Sequence, residues 1–391
     1  MKVGPDNNLK ICHLTESFLP KVGGAQIVID SLAKEQAALG HNVTVACPRY
    51  PNMSGPETAS GYKVERCFGL SRISFLFGVI PWLRLAAKER FDIIHAHNAW
   101  PGGTLGAITS KLFGAKLVIT SHGRDIVIDR SIGYGSRRSP LINFITKLTL
   151  RAADKHTIVR GSLIESATEA GSALKNIAVV PNFVPRVTGS PSPSRADRYL
   201  LAMGRLHKVK RFELAIQAMD LIKKTLPDTK LVIAGAGGED EKLKRLVADL
   251  NLTDSVEFAG QVTGDAKQDL IAGAWALLVT SKIEAFPVTP LEVMSLGVPV
   301  LAPNYEPFVE FIDGQNSLLV DPESPQMILE ALKTLLDEKV YQRISRLAKE
   351  TAAKFSPSKI VGLYQSVYED LLSEKGLKGR PAHRKDVNVQ Q

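Results

Sequence analysis

The feature that most constrains this chain is a grammar of short, continuously apolar runs set between longer stretches of helical period, broken once and then resumed. Lys10–Leu14, Val43–Cys47, Ile93–His95, Lys116–Thr120 and Ile177–Val180 are such runs, and Ala25–Leu39 and Leu141–Ala152 carry the helical period between them. A strand that is apolar along its whole length must be covered on both faces. A parallel sheet flanked by helices does this. From Pro185 to Arg198, "PRVTGSPSPSRADR", the apolar period vanishes and Pro, Ser and Gly take over, which is the composition of a linker. Beyond it "YLLAMG", "KLVIAG", "SVEFAG", "ALLVT", "VPVLAP" and "SLLVD" read as six more strands, spaced by helices such as Phe212–Lys224 and Glu241–Asp249.

The expected fold is therefore α/β, with two doubly wound Rossmann-like domains facing a cleft. They occupy residues 1–184 and 199–355, with 185–198 as the linker. A chain of 391 residues is long for one core and comfortable for two. In such sheets ligands bind beyond the carboxyl ends of the strands. Residues 356–374 read as one amphipathic helix with a Ser–Pro start and Ile360, Leu363, Tyr364, Val367, Tyr368 and Leu371 on one face. Residues 375–391 are polar and basic and are expected to be disordered.

Composition narrows the class further. The three cysteines, Cys12, Cys47 and Cys67, sit in or beside apolar runs with no CxxC, the pattern of buried thiols in a reducing, cytoplasmic setting. The N-terminus lacks the apolar core of a signal peptide. Ile73–Ala87 is the most apolar stretch, yet it is too short to span a bilayer and carries Arg72 and Arg84 at its ends. It reads as an amphipathic helix packed on a sheet, and the sharper alternative gives its basic rim to a membrane surface. A net charge of +9 suits an anionic ligand, a nucleic acid or an anionic membrane. No aromatic-basic interleaving or known module supports nucleic acid.

Four groups of residues could carry chemistry. Arg205, Lys208, Lys210 and Arg211 cluster between a strand end and a helix start, where a phosphate would be held; the plainer reading is a solvated basic loop. Gly23 and Gly24 lie between the first strand and a long helix, so backbone N–H groups could approach an anion there. This is not GxGxxG. "GAGGED" comes closer but ends in Asp240, whose charge opposes a pyrophosphate, so no nicotinamide or flavin cofactor is expected. His95, His97 and His122 stand at strand ends. The first two share a strand face, but no third ligand at a recognisable spacing supports a metal. His122, with Gly123 after it and Asp125 nearby, is better placed for a polar substrate. Finally, Glu284 and Glu292 flank a segment in which Pro287 and Pro290 forbid a continuous helix. Glu284 is expected on a loop and Glu292 in the first turn of a helix beginning near Pro290. Both can accept hydrogen bonds from vicinal hydroxyls of a sugar or ribose. The plainer reading is a surface glutamate plus one favoured by the helix dipole. There is no DxD, GxSxG, P-loop or HExxH.

Taken together and in order, "GGAQIVIDSLAKEQAALGHNVTV", "FDIIHAHNAW", "SHGRDI", "VVPNFV", "GRLHKVKR" and "EAFPVTPLE" resemble the retaining, two-Rossmann-domain (GT-B) glycosyltransferases of family 4, also called glycosyl transferases group 1. The resemblance covers nearly the whole chain. It implies an acceptor-side first domain, a second domain binding a nucleotide sugar, and a last helix, Lys359–Ser373, crossing back to the first domain. It implies that Glu284 holds hydroxyls of the donor sugar and Glu292 the ribose. Amides of Phe286, Val288 and Thr289 orient sugar and diphosphate, Arg205 and Lys210 neutralise the diphosphate, and the Gly23–Gly24 loop closes over it. His122 approaches the transferred sugar, so Arg205, Lys210, Glu284 and His122 form the expected catalytic set. Asp125 and His97 lie on the acceptor side.

The implied activity is metal-independent transfer of a sugar, with retention, from a nucleotide-diphosphate sugar to a glycan, lipid-linked or small-molecule acceptor. No cofactor is expected. UDP is the first expected nucleotide and GDP the next. Peripheral association with an anionic membrane is a further expectation, and nucleic acid is not an expected partner. The alternatives are a sugar-nucleotide epimerase of the same fold and a non-catalytic nucleotide-sugar-binding protein. Several positions depart from the family pattern: Ala285 where Gly is frequent, Phe183 after Asn182, Glu306 and Pro307 ahead of Glu310, and Ser317. They place donor identity, rather than donor class, in doubt.

Overall fold

The computed structural model describes residues 8–21, 23–50, 57–59, 61–69, 78–184 and 199–373. The expected linker, the expected tail and the first residues of the Ile73–Ala87 stretch lie outside them. The first sheet contains β1 (Lys10–Leu14), β2 (Asn42–Pro48), β3 (Glu57–Ala59), β4 (Tyr62–Phe68), β5 (Ile93–His97), β6 (Lys116–Ser121), β7 (Lys155–Ile158) and β8 (Ile177–Val179). Its order is β3-β4-β2-β1-β5-β6-β7-β8, parallel throughout except for the β3–β4 pair. The second contains β9 (Tyr199–Met203), β10 (Lys230–Ala234), β11 (Val256–Gly260), β12 (Ala276–Leu278), β13 (Val300–Pro303) and β14 (Leu318–Val320). Its order is β11-β10-β9-β12-β13-β14, and every pair is parallel. Each sheet thus reverses its winding once, between β1 and β5 and between β9 and β12, and these switch points are where an open α/β sheet presents a crevice.

Helices cover both faces of the first sheet. On one side α1 (Gly24–Ala38) buries Val28, Ile29, Leu32, Ala33 and Gln36, the spacing of a single stripe. On the other, α2 (Val79–Glu89), α3 (Thr104–Phe113) and α4 (Pro140–Ala152) lie side by side. A short α5 (Ile164–Glu169) follows. Within the described part of the Ile73–Ala87 stretch, α2 carries residues 79–87. Its Trp82 is fully buried, stacks on Phe91 at 6.2 Å and donates its indole N–H to Thr109 Oγ1 at 2.8 Å. In the second domain α6 (Phe212–Thr225), α7 (Asp240–Asp249), α8 (Gly264–Ala272), α9 (Val288–Ser295), α10 (Pro325–Thr334) and α11 (Glu338–Ala353) flank the sheet.

The last helix, α12 (Pro357–Ser373), belongs to the first domain by packing although it follows the second in sequence. Ile360, Val361, Tyr364, Val367, Tyr368 and Leu371 share one core with Leu9, Ile11, Val28, Leu32, Ile93 and Val118. The expected face is nearly right: Leu363 is exposed and Val361 takes its place. Among the described residues no helix is long and apolar enough to cross a membrane.

Candidate active site

Lys210 and Glu284 meet at the switch point of the second sheet. β9 ends at Met203, and Gly204 then adopts φ +150, a region side chains avoid. The stem of Lys210 passes where a Cβ on Gly204 would point, 3.5 Å from its Cε. The Lys210 backbone is tied to the neighbouring strand end, where its carbonyl accepts from Thr280 Oγ1 at 2.7 Å. Its ammonium pairs with Glu284 Oε1, which also accepts from Ser281 Oγ at 2.9 Å. A small cleft lined by Met203, Lys210, Phe212, Ser281, Glu284 and Thr289 opens there. The cluster of four cations divides in two. Arg211 donates to Thr280 O at 3.0 Å and pairs with Glu323 at 2.6 Å, holding the loop, while Lys208 is exposed.

Glu292 is not in the first turn of its helix. α9 begins at Val288, so Glu292 is a turn deeper and only 8% exposed, with Lys267 of α8 contacting both carboxylate oxygens at 2.6 Å. Lys267 was invisible to the sequence reading because it lies 25 residues away on another helix. Phe286, Val288 and Thr289 are partly buried at the start of α9, and the Val288 N–H is engaged by the Phe286 carbonyl at 3.1 Å. The glycines of "GAGGED" serve the fold: a Cβ at Gly235, φ +152, would sit 1.8 Å from the Gly204 carbonyl oxygen.

The facing half comes from the carboxyl ends of β1, β5 and β6. Gly23 caps α1 in extended conformation, and a Cβ on it would lie 3.9 Å from a guanidinium nitrogen of exposed Arg205. A Cβ on Gly24 would meet open space. The start of α1 and the Arg205 guanidinium therefore lie close to one another across the cleft, where an anion would meet both. Nearer the first sheet, Gly123 takes φ +104, and a Cβ there would lie 2.3 Å from Ala285 Cβ. The domains touch elsewhere too. Lys282 donates to Ser131 at 3.1 Å, and Arg160 meets Glu306 and Glu310 at 3.2 and 3.5 Å. The Glu306 departure thus forms half of an interdomain ion pair.

His122 stands beside this contact, while His97 does not. His97 is 1% exposed and both its ring nitrogens are engaged, one by His13 and one by His122, each at 3.1 Å. The expectation that it faces an acceptor is corrected: it lies behind His122. Asp125 is buried as well. Its Oδ2 accepts from the Ala99 N–H at 2.9 Å and Ser121 Oγ at 2.7 Å, and burial raises its pKa. Two neighbours escaped the sequence reading. Glu16, just past β1, accepts from Asn98 Nδ2 at 2.8 Å, and burial pushes its carboxyl up to about 7. Asn98 holds φ +74, a strained setting of the kind that collects at functional sites. Glu16 Oε2, Asn98 Oδ1, Asp125 Oδ1 and His122 Nδ1 are buried atoms without a hydrogen-bond partner among the described residues. Unmet polar atoms gathered at one sheet edge suit a polar ligand.

A third histidine does join His95 and His97. His13 is the register partner of His95 on β1, and potential ligand nitrogens of the three lie within 4.8 Å of one another. All six ring nitrogens are nevertheless in hydrogen bonds: His13 to Gln36 and His97, His95 to Tyr368 and Thr120, His97 to His13 and His122. Burial lowers His13 and His122 to about 4 and takes His95 and His97 well below their ordinary value, so all four are neutral at pH 7.

Comparison with known proteins adds a separate line of evidence. Residues 22–186 match the family model described as Glycosyltransferase Family 4, and residues 190–353 match that described as Glycosyl transferases group 1. The N-acetyl-alpha-D-glucosaminyl L-malate synthase of Bacillus anthracis is 28% identical over 381 residues, 91% of this chain and 96% of that protein. Sucrose-phosphate synthase from Thermosynechococcus elongatus superposes with a TM-score of 0.79 at 20% identity, covering 94% of this chain and 100% of that one. Anabaena Alr3699/HepE, in complex with UDP and glucose, gives 0.74 at 20% identity with the same coverage. These two structures share the fold.

Proposed function

We propose, from the premise that this chain belongs to the family 4, group 1 glycosyltransferases, that it moves a sugar from a nucleotide-diphosphate donor to an acceptor hydroxyl with retention and without a metal. The observation that carries this reading is the Lys210–Glu284 pair at the second switch point, with Arg205 and the glycine-fronted start of α1 beside it. Transfer breaks the bond between the anomeric carbon and a phosphate oxygen, and the electron pair stays on the diphosphate. Lys210, Arg205 and the opening N–H groups of α1 are placed to receive that charge as it grows. Glu284 accepts hydroxyls of the donor sugar, and Glu292, steadied by Lys267, accepts those of the ribose. The acceptor oxygen attacks from the face the diphosphate leaves, and its proton passes to the departing phosphate oxygen. UDP is the first nucleotide to test, in keeping with the UDP held by the Anabaena structure, and GDP the second.

The acceptor is proposed to be presented at an anionic membrane. On neighbouring α2, α3 and α4, Ile80, Leu112, Leu141 and Phe144 are each at least 60% exposed, with Lys111 and Arg151 among them. An apolar face with basic neighbours lies down on anionic lipid. One experiment covers the reading. With UDP- and GDP-sugars and acceptor-bearing anionic vesicles, product should form in EDTA with the donor's anomeric configuration, as read by NMR. The paired change Leu141→Glu and Phe144→Glu should abolish vesicle sedimentation. An inverted product, or turnover that stops in EDTA and returns with Mg²⁺, overturns the mechanism. Unchanged sedimentation overturns the membrane face.

A further inference from the structure

A run of eight hydrogen bonds leads from one backbone carbonyl through the first domain to His122, and its direction can be worked out atom by atom. Two anchors set that direction: the Gln36 amide lies with its Nε2 towards the Tyr368 hydroxyl and its Oε1 towards His13, and at the far end Thr157 Oγ1 reaches the Ile119 carbonyl, which can only accept, at 3.4 Å. Thr157 has then spent its single hydroxyl proton, so its oxygen accepts from Thr120 Oγ1 at 2.5 Å. Thr120 is spent in turn, so His95 Nε2, 2.6 Å away, must be the donor. A neutral imidazole carries one N–H, which leaves His95 Nδ1 as the acceptor of the Tyr368 hydroxyl proton at 2.7 Å. Tyr368 then accepts from Gln36 Nε2 at 3.2 Å, which turns Gln36 Oε1 to His13 Nε2 at 2.7 Å.

The hydrogen-bond chain continues to the cleft. His13 Nε2 donates to Gln36, so His13 Nδ1 accepts from His97 Nε2, and His97 Nδ1 accepts from His122 Nε2, both at 3.1 Å. His122 is left with a bare lone pair on Nδ1, the buried atom that has no partner among the described residues. Gln36 is the hinge of this arrangement. It occupies a core position on the apolar stripe of α1, 1% exposed, where a polar side chain is costly unless both ends are bonded. It is bonded at both ends, to β1 through His13 and to α12 through Tyr368.

We propose that Gln36, His13 and His97 are positioning residues that hold His122 as its Nε2–H tautomer, so that Nδ1 faces a substrate hydroxyl as an acceptor. Glu16, Asn98 and Asp125 each add an unpartnered oxygen at the same sheet edge, and Glu16, its carboxyl pushed up to about 7 by burial, can donate there as well as accept. The ligand chemistry is therefore a polyol, whose hydroxyls both donate and accept. That consequence rests on the sugar-transfer reading, whereas the tautomers do not.

The test is long-range proton–nitrogen NMR of the full chain labelled with ¹⁵N-histidine, with each ring assigned by substitution to Asn. In the unsubstituted protein at pH 7, His13, His95, His97 and His122 should all carry the proton on Nε2, and His122 Nδ1 should have the shift of an unprotonated nitrogen. Gln36→Leu should give His122 a mixture of tautomers, and Gln36→Glu, which keeps an acceptor towards His13, should restore the single form. A proton on Nδ1 of any of the four rings, or a His122 pattern indifferent to Gln36→Leu, overturns the proposal. The first measurement needs no variant to fold and no enzymatic activity, so it is independent of the fate of the proposed transfer reaction.

Discussion

Lys210→Ala lowers kcat/KM for sugar transfer by about 10²–10³-fold, the cost of removing one charged donor from a site where negative charge develops. The substitution takes away the ammonium that is paired with Glu284 and that we propose meets the leaving diphosphate. It leaves the loop in place, because the backbone there is held independently by Thr280 Oγ1 on the Lys210 carbonyl and by Arg211 on the Thr280 carbonyl. Glu284, whose side chain is 15% exposed, keeps Ser281 but loses the cation paired with it, and a carboxylate left so enclosed without a counter-charge also costs stability. The double substitution Lys210→Ala with Glu284→Gln, set against Glu284→Gln alone, separates the two effects. Its melting temperature should recover while its activity stays low. Recovery of activity along with stability would mean that Lys210 serves the fold and not the reaction.

Gly123→Ala should be as damaging, by another route. The new methyl would meet Ala285 Cβ at 2.3 Å across the domain contact, at a φ of +104 that side chains rarely adopt. The backbone cost falls on the first domain, and the clash holds the domains apart, so that His122 and Glu284 cannot serve one sugar. The expected result is loss of at least about 10²-fold in kcat, since misplacing groups by an ångström costs about that much. The position of Ala285 offers a check. Ala285→Gly alone should be nearly silent, and in the Gly123→Ala background it should return part of the activity by making room. No rescue would assign the whole effect to backbone strain and contradict closure at this contact.

How much was legible follows from what each segment buries. All six strands of the second sheet were visible as short, largely apolar runs between helical stretches, and the crossover helix announced itself by a Ser–Pro start and a stripe. β3, β4 and β7 were not visible. β4, "YKVERCF", alternates towards the sheet's edge and buries Arg66, which donates to the Leu19 and Pro48 carbonyls. β7, "KHTI", spends two of its four residues on buried polar groups, and His156 bonds to Ser121 at 2.8 Å and Ser172 at 2.6 Å. The same limit applied at the site. Arg205, Lys210, Glu284 and His122 each lie in a local motif with a strand end as its marker. Lys267, Glu16 and His13 gain their meaning from partners on other elements, and strand register has no local signature. His97 was misplaced for a related reason: period two gives the face it occupies but not what stands in front of it.

The most direct test of the central claim, that a nucleoside diphosphate sits between Arg205 and Glu292, is thermal unfolding with UDP, GDP, ADP, dTDP and NAD. The measurement should be made on the unsubstituted protein and on Arg205→Ala and Glu292→Ala. A ligand at one hundred times its dissociation constant stabilises by about 2.7 kcal/mol. A shift of that order is expected with one nucleoside diphosphate, UDP first, reduced or lost in both variants. A shift that both variants keep, or no shift with any diphosphate, would contradict the claim.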